Sequence, residues 1–112
     1  MDSNTNALIE QRAEVFKALG HPIRLALVEA LRDGDRCVCD IARAVGAERS
    51  NVSRHLAVLV RAGVLDSRKT GLEVRYRLKT PCVLDSFACI EGILCERLED
   101  SRRALRQLAR SR

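Results

Sequence analysis

Apolar residues recur at helical spacing through the first half of the chain. Leu8, Val15, Phe16 and Leu19 mark a first helix over about Ala7–Leu19, closed by Gly20 and followed by His21 and Pro22. Pro22 opens a second helix, whose stripe is Ile23, Leu27, Val28 and Leu31 and which ends near Asp33 and Gly34. A short third helix covers Val38 to Val45 and stops at Gly46. The fourth starts around Glu48 and Arg49 and stops at Gly63. It sets Val52, Leu56, Leu59 and Val60 on one face and leaves its other face polar.

The period then changes. Val64 to Arg68 and Val74 to Leu78 are short runs rich in Val, Leu, Tyr and Arg, separated by a loop with Gly71, and read as a hairpin. Pro81 starts a long last helix reaching about Ala109, with Leu84, Phe87, Leu94, Leu98, Leu105 and Leu108 on alternating three- and four-residue steps. Such a seam pairs with the same helix of a second copy or packs on its own core. The short interval from Gly46 to Glu48 fits a helix-turn-helix connection, where Gly lets the chain reverse sharply. The predicted fold is mainly α: a dimeric winged helix-turn-helix with five helices and a two-stranded β-hairpin wing, as one domain over 1–112.

Composition narrows this picture. A chain of 112 residues holds one core and no large active-site cavity, and with 46% apolar but only 3% aromatic residues that core is aliphatic. No run of 18 apolar residues occurs and Met1 to Thr5 is polar, so neither a membrane span nor a signal peptide is expected and the protein is placed in the cytoplasm. The five cysteines are then expected to be free thiols, metal ligands or redox sensors.

The net charge of +5 is local. Residues 47–79 hold eight Lys or Arg against three acids, and the rest of the chain is balanced at twelve of each. A surplus confined to one third of the sequence suits a face that meets phosphates. The polar face of the fourth helix offers Arg49, Ser50, Ser53 and Arg54 near its N-terminus, where side chains reach base edges and backbone amides meet phosphate. Arg49 and Ser53 are assigned to bases. Ser50, Arg54 and His55 are assigned to phosphate or packing, and His55 equally to a core or interface. In the wing, Arg68, Lys69, Arg75 and Arg77 alternate with apolar residues and are expected to straddle the minor groove.

Two stretches carry a family resemblance. Phe16-Lys17-Ala18-Leu19-Gly20-His21-Pro22-Ile23-Arg24-Leu25 and Arg49-Ser50-Asn51-Val52-Ser53-Arg54-His55-Leu56, with Ala62-Gly63-Val64-Leu65 leading into the wing, closely resemble the ArsR/SmtB family of metal- and metalloid-responsive repressors. The resemblance covers nearly the whole chain and implies a repressor that binds double-stranded operator DNA as a homodimer. This chain departs from the family pattern at Arg49, where the family usually has Gln, and at Glu48, where it has a Ser or Thr cap. Arg suits a guanine edge, and Glu is a weak cap near phosphate.

Cys37-Val38-Cys39-Asp40, at the start of the third helix, is the strongest chemical signal. Two thiols in a first helical turn are expected to have lowered pKa. Residues two apart point nearly opposite ways on a regular helix, so the pair shares one ion only if that turn is loosened. Trivalent arsenic or antimony prefers three soft thiolates in a pyramid. The sequence looks like the inducer site of the arsenic-responsive family members, which implies As(III) or Sb(III) as inducer. Those members often have a third Cys where this chain has Ala42, so the third thiol comes from elsewhere or is absent. Cys82 and Cys89, seven apart on one face of the last helix, are the candidates, and both also read as small buried hydrophobes. Cys95 lies about 120° away from Cys89 on the helical wheel and is weaker.

Other functions are weighed on the same residues. The related zinc sensors use Asp, His and Glu on the last helix, whereas Asp85 has no His near it and His21 and His55 are the only histidines. A Cd or Pb thiolate sensor remains open. So does a redox or persulfide switch bridging the helix-turn-helix cysteines to Cys82 or Cys89. An enzyme with a Cys nucleophile lacks His and Asp partners, and none is expected.

Overall fold

The computed structural model describes residues 1–111 and divides into two compact units, residues 1–81 and the stretch from Cys82 onward. The first contains α1 (Ser3–Leu19), α2 (Pro22–Ala30), β1 (Arg36–Cys37), α3 (Val38–Val45), α4 (Arg49–Arg61), β2 (Leu65–Thr70) and β3 (Glu73–Leu78). The second contains α5 (Val83–Arg110).

The helices follow the predicted stripes, with shifted ends. α1 begins at Ser3 because the Asp2 carboxylate accepts the Thr5 N–H at 2.7 Å, an N-cap in a polar turn that periodicity does not reveal. His21 caps α2 in the same way, its Nδ1 accepting the Ile23 N–H at 3.2 Å, with Pro22 at the first helical position. α2 ends at Ala30, short of Asp33, where the Leu31 N–H turns to the Val28 carbonyl at 3.1 Å and the last turn tightens. α3 ends at Gly46 in the left-handed region (φ 70°), and the Gly46 and Ala47 N–H groups both reach the Ala42 carbonyl. That reversal launches α4, as a helix-turn-helix requires.

Leu27, Val28 and Leu31 meet Ile41 of α3, Val52, Leu56 and Leu59 of α4, and Val64 and Leu65 at the entry to β2. All nine are at most 3% exposed. Each such side chain contributes about 1.5–3 kcal/mol on burial, so this aliphatic cluster is what fixes α4 against α2 and α3. Among the described residues no polar side chain is buried and no buried side-chain N or O lacks a partner.

The expected hairpin wing is present as β2 and β3, and a third strand that the sequence does not announce joins it. The sheet has three antiparallel strands in the order β1-β3-β2, with Arg36 opposite Tyr76 and Cys37 opposite Arg75. A two-residue strand shows no alternation in sequence; pairing alone defines it. β2 and β3 run from Leu65 opposite Leu78 to Thr70 opposite Glu73, leaving a two-residue turn in which Gly71 takes positive φ (63°). Gly at the first turn position matches the right-handed twist of the strands.

α5 begins at Val83 rather than Pro81 and has 28 residues, none of them buried. Ile90, Ile93, Leu94, Leu98, Leu105 and Leu108 are about half exposed or more. On α1, Leu8, Ile9, Val15 and Phe16 are likewise exposed, and of the predicted stripe only Leu19 is buried, beside Ala18.

Candidate functional site

Burial of Val52, Leu56 and Leu59 fixes which side of α4 faces out, and Arg49, Ser50, Ser53 and Arg54 are all exposed on it. Glu48 occupies the N-cap with no side-chain cap bond, so the first-turn amides of α4 are not satisfied by the residue before them. Arg54 donates to Asn51 Oδ1 at 2.6 Å, which holds its guanidinium along the helix. A shallow cleft lies where the turn residues Gly46, Ala47 and Glu48 meet Ser50, Asn51 and Arg54.

His55 stands apart from this exposed set. It is half-buried, its ring 4.6 Å from that of His21, and its Nδ1 accepts the Arg24 Nε–H at 3.1 Å while Arg24 also donates to the Ala18 carbonyl. Burial, then His21, Arg24 and Arg54, push its pKa down, so the neutral ring is favoured. The ring is thus engaged within the fold, by His21 and Arg24. Arg24 was not predicted. A cation on the otherwise apolar side of α2 was the available signal.

The four wing cations also divide. Arg68 and Lys69 are exposed and carry no ion pair among the described residues. Arg77 pairs with Asp66, directly opposite it across the strands, at 2.9 Å. Arg75, expected on the DNA backbone, is only half-exposed and engaged: its Nε donates to Asp35 Oδ2 at 3.2 Å, one terminal NH2 to the Asp35 carbonyl at 3.1 Å, and the other to Glu73 at 3.4 Å. These partners, Asp35 first, raise its pKa. Asp35 is forty positions away in sequence, and no local pattern announces it.

Cys37 lies outside α3. It is the N-cap, with extended torsions (φ −78°, ψ 162°), and simultaneously the last residue of β1, whereas Cys39 is inside the helix. The loosened first turn expected of a shared ligand therefore needs no distortion of a regular helix; the strand-to-helix junction already separates the two backbones. Cys37 is buried and Cys39 half-buried. Both line an open cleft of about 450 Å³ whose other walls are Val38, Arg49, Thr70, Leu72, Glu73 and Val74. The cleft thus joins the thiol pair to the first residue of α4 and to the wing tip.

The expectation of a lowered thiol pKa fails at Cys37. The Asp40 backbone N–H lowers it, but burial together with the Asp40 and Glu73 carboxylates outweighs that hydrogen bond, and the net shift is upward. A neutral thiol donating to a carboxylate is stabilised, and a buried thiolate beside two acids is not. Among the described residues no three His, Cys, Asp or Glu side chains form a group that could hold a metal ion. Cys82, Cys89 and Cys95 are all exposed on the second unit.

A helix-turn-helix with a basic, uncapped second helix and a β-wing defines a winged-helix DNA-binding protein. The family model described as "Bacterial regulatory protein, arsR family" matches residues 21–67. The homodimeric winged helix-turn-helix domain of Mb0332 from Mycobacterium bovis superposes with a TM-score of 0.75 at 32% identity, covering 89% of this chain and 93% of that one. The AntR antimony-specific transcriptional repressor gives 0.71 at 35%, covering 89% and 90%. The arsenical resistance operon repressor of Escherichia coli is 42% identical over 66 residues, 58% of this chain and 56% of that repressor. The chain belongs to the ArsR family and is a DNA-binding transcriptional regulator, not an enzyme. No helix among the described residues is long and apolar enough to cross a membrane.

Proposed function

We propose that the protein is a homodimeric, cytoplasmic repressor that leaves its operator when As(III) or Sb(III) is captured by Cys37 and Cys39. Arg49 and Ser53 read base edges. Ser50, Arg54 and the first-turn amides of α4, with Arg68 and Lys69 of the wing, hold phosphates. The exposed apolar seam of α5 is where the second copy attaches, and the similar Mb0332 domain is homodimeric.

One observation carries the inducer reading: both thiols and Arg49 line the same cleft. A ligand bonded to the thiols occupies space beside a residue assigned to the operator, so thiol capture and DNA binding oppose each other. The named relatives, one antimony-specific and one tied to arsenical resistance, support the same ligand class. Each As–S bond forms as a thiol proton and an arsenite hydroxyl leave together as water. As(III) prefers a third soft ligand, for which Cys82 and Cys89 are the candidates in the sequence.

The test is fluorescence anisotropy of a labelled operator. Arsenite should release it from the wild type, and Cys37→Ser should bind the operator normally but fail to release it. Cys39→Ser serves as a second variant against misfolding. Operator binding that ignores arsenite, antimonite and cadmium alike would sink the inducer reading.

A further inference from the structure

We propose that Arg75 is a strut that transmits the state of the Cys37 site to the wing, rather than a DNA contact. This deepens the inducer reading and rests on it.

Three sets of contacts meet at Arg75. On β3 it lies directly opposite Cys37 in the β1–β3 ladder. Its guanidinium grips both the carboxylate and the backbone carbonyl of Asp35, two residues before Cys37, at 3.2 and 3.1 Å. Its remaining NH2 meets Glu73, which lines the thiol cleft at the wing turn. A two-residue strand has little hold of its own on a neighbour, so the paired fork onto Asp35 is what fastens β1 to β3. When Cys37 moves to share a ligand with Cys39, β1 must move, and through Arg75 β3 moves with it. Since β3 is hydrogen-bonded to β2, which carries Arg68 and Lys69, the wing cations shift against the phosphates. Without the strut, β1 frays and the thiols close on their ligand while the wing stays in place. A ligand changes an equilibrium only through contacts that differ between the two states, and Arg75 supplies such a contact.

The experiment compares wild type, Arg75→Gln, Asp35→Asn and the exchanged pair D35R/R75D. Operator affinity is measured over a range of salt with and without arsenite, and arsenite binding is followed separately by calorimetry. Both single variants should bind arsenite and, without it, keep operator affinity within about threefold and an unchanged salt slope, while the arsenite-induced loss of affinity shrinks about tenfold or more. The exchanged pair should recover most of that loss, which a general weakening of the fold does not produce.

If Arg75→Gln instead lowers the salt slope by about one while Asp35→Asn leaves release intact, Arg75 is a phosphate contact and the strut is overturned. Hydrogen exchange at Arg36, Cys37 and residues 73–76 gives an arm independent of arsenite. Both single variants should open these amides together, and the exchanged pair should close them. Unchanged exchange overturns the strut, whereas a wild type that holds its operator in arsenite overturns only the inducer reading.

Discussion

The two units of this chain spend their apolar residues differently. Residues 1–81 gather Leu27, Ile41, Val52, Leu56, Leu59 and Leu65 into a core at most 1% exposed, while α5 buries none of its 28 residues and leaves Leu94, Leu98 and Leu105 between 51% and 66% exposed. A similar heptad-like spacing serves a finished interior in α2 and α4 and an open seam in α5. Apolar periodicity thus identifies a helix face that needs covering without saying what covers it. The same contrast runs through the cations, because Arg49, Arg68 and Lys69 are exposed without ion pairs among the described residues, whereas Arg75 and Arg77 are tied to acids.

Two substitutions probe the core against the seam, and their effects should be the largest. Leu56→Ala empties a fully buried site and should cost about 2–5 kcal/mol in denaturant unfolding, enough to unfold much of a small domain. Leu98→Glu should leave the circular dichroism of the helices nearly intact, yet shift sedimentation to the monomer and weaken operator binding by about a hundredfold, because half-sites are then bound singly. Equal loss of helix in both variants would erase the distinction drawn between interior and seam.

Among the cations the expected effects are smaller and differ in kind. Arg49→Ala should cost about 1–3 kcal/mol of operator affinity and relax preference at one base position, whereas Arg68→Ala should weaken all sequences alike and reduce the salt slope by about one. A competition series across operator variants and salt concentrations separates the two.

The smallest effect concerns pH. His55 is held neutral in the fold, its pKa pushed below the ordinary imidazole value by burial and by His21, Arg24 and Arg54. On acidification the unfolded chain takes up this proton first, so the contribution is complete above about pH 6.5 and lost as pH falls toward the folded value. His55→Gln, whose carbonyl can still accept from Arg24, should flatten the fall of thermal stability on that acid side. An unchanged slope would mean that His55 is not the titrating group.

Much of this is legible in the amino-acid sequence. The stripes of α2 and α4, the reversal at Gly46 and the concentration of charge in residues 47–79 depend on neighbours within a turn or two, and local sequence states them directly. The cysteine pair was equally visible, as was the weak cap at Glu48. The role of His55 is open between DNA and packing in the sequence because its ring partner, His21, stands far along the chain at the N-cap of α2.

What sequence alone determined is therefore whatever short-range periodicity and spacing encode: five helices and a hairpin, an aliphatic core, a basic second helix in the helix-turn-helix, and two thiols just ahead of it. Tertiary structure decided the rest. It made Arg36 and Cys37 a third strand, set Arg75 on Asp35, turned His55 to Arg24, and raised rather than lowered the Cys37 thiol pKa by burying it near Asp40 and Glu73. Strand pairing, ion pairing and desolvation all depend on which distant groups folding brings together, and no window along the chain contains both members of such a pair.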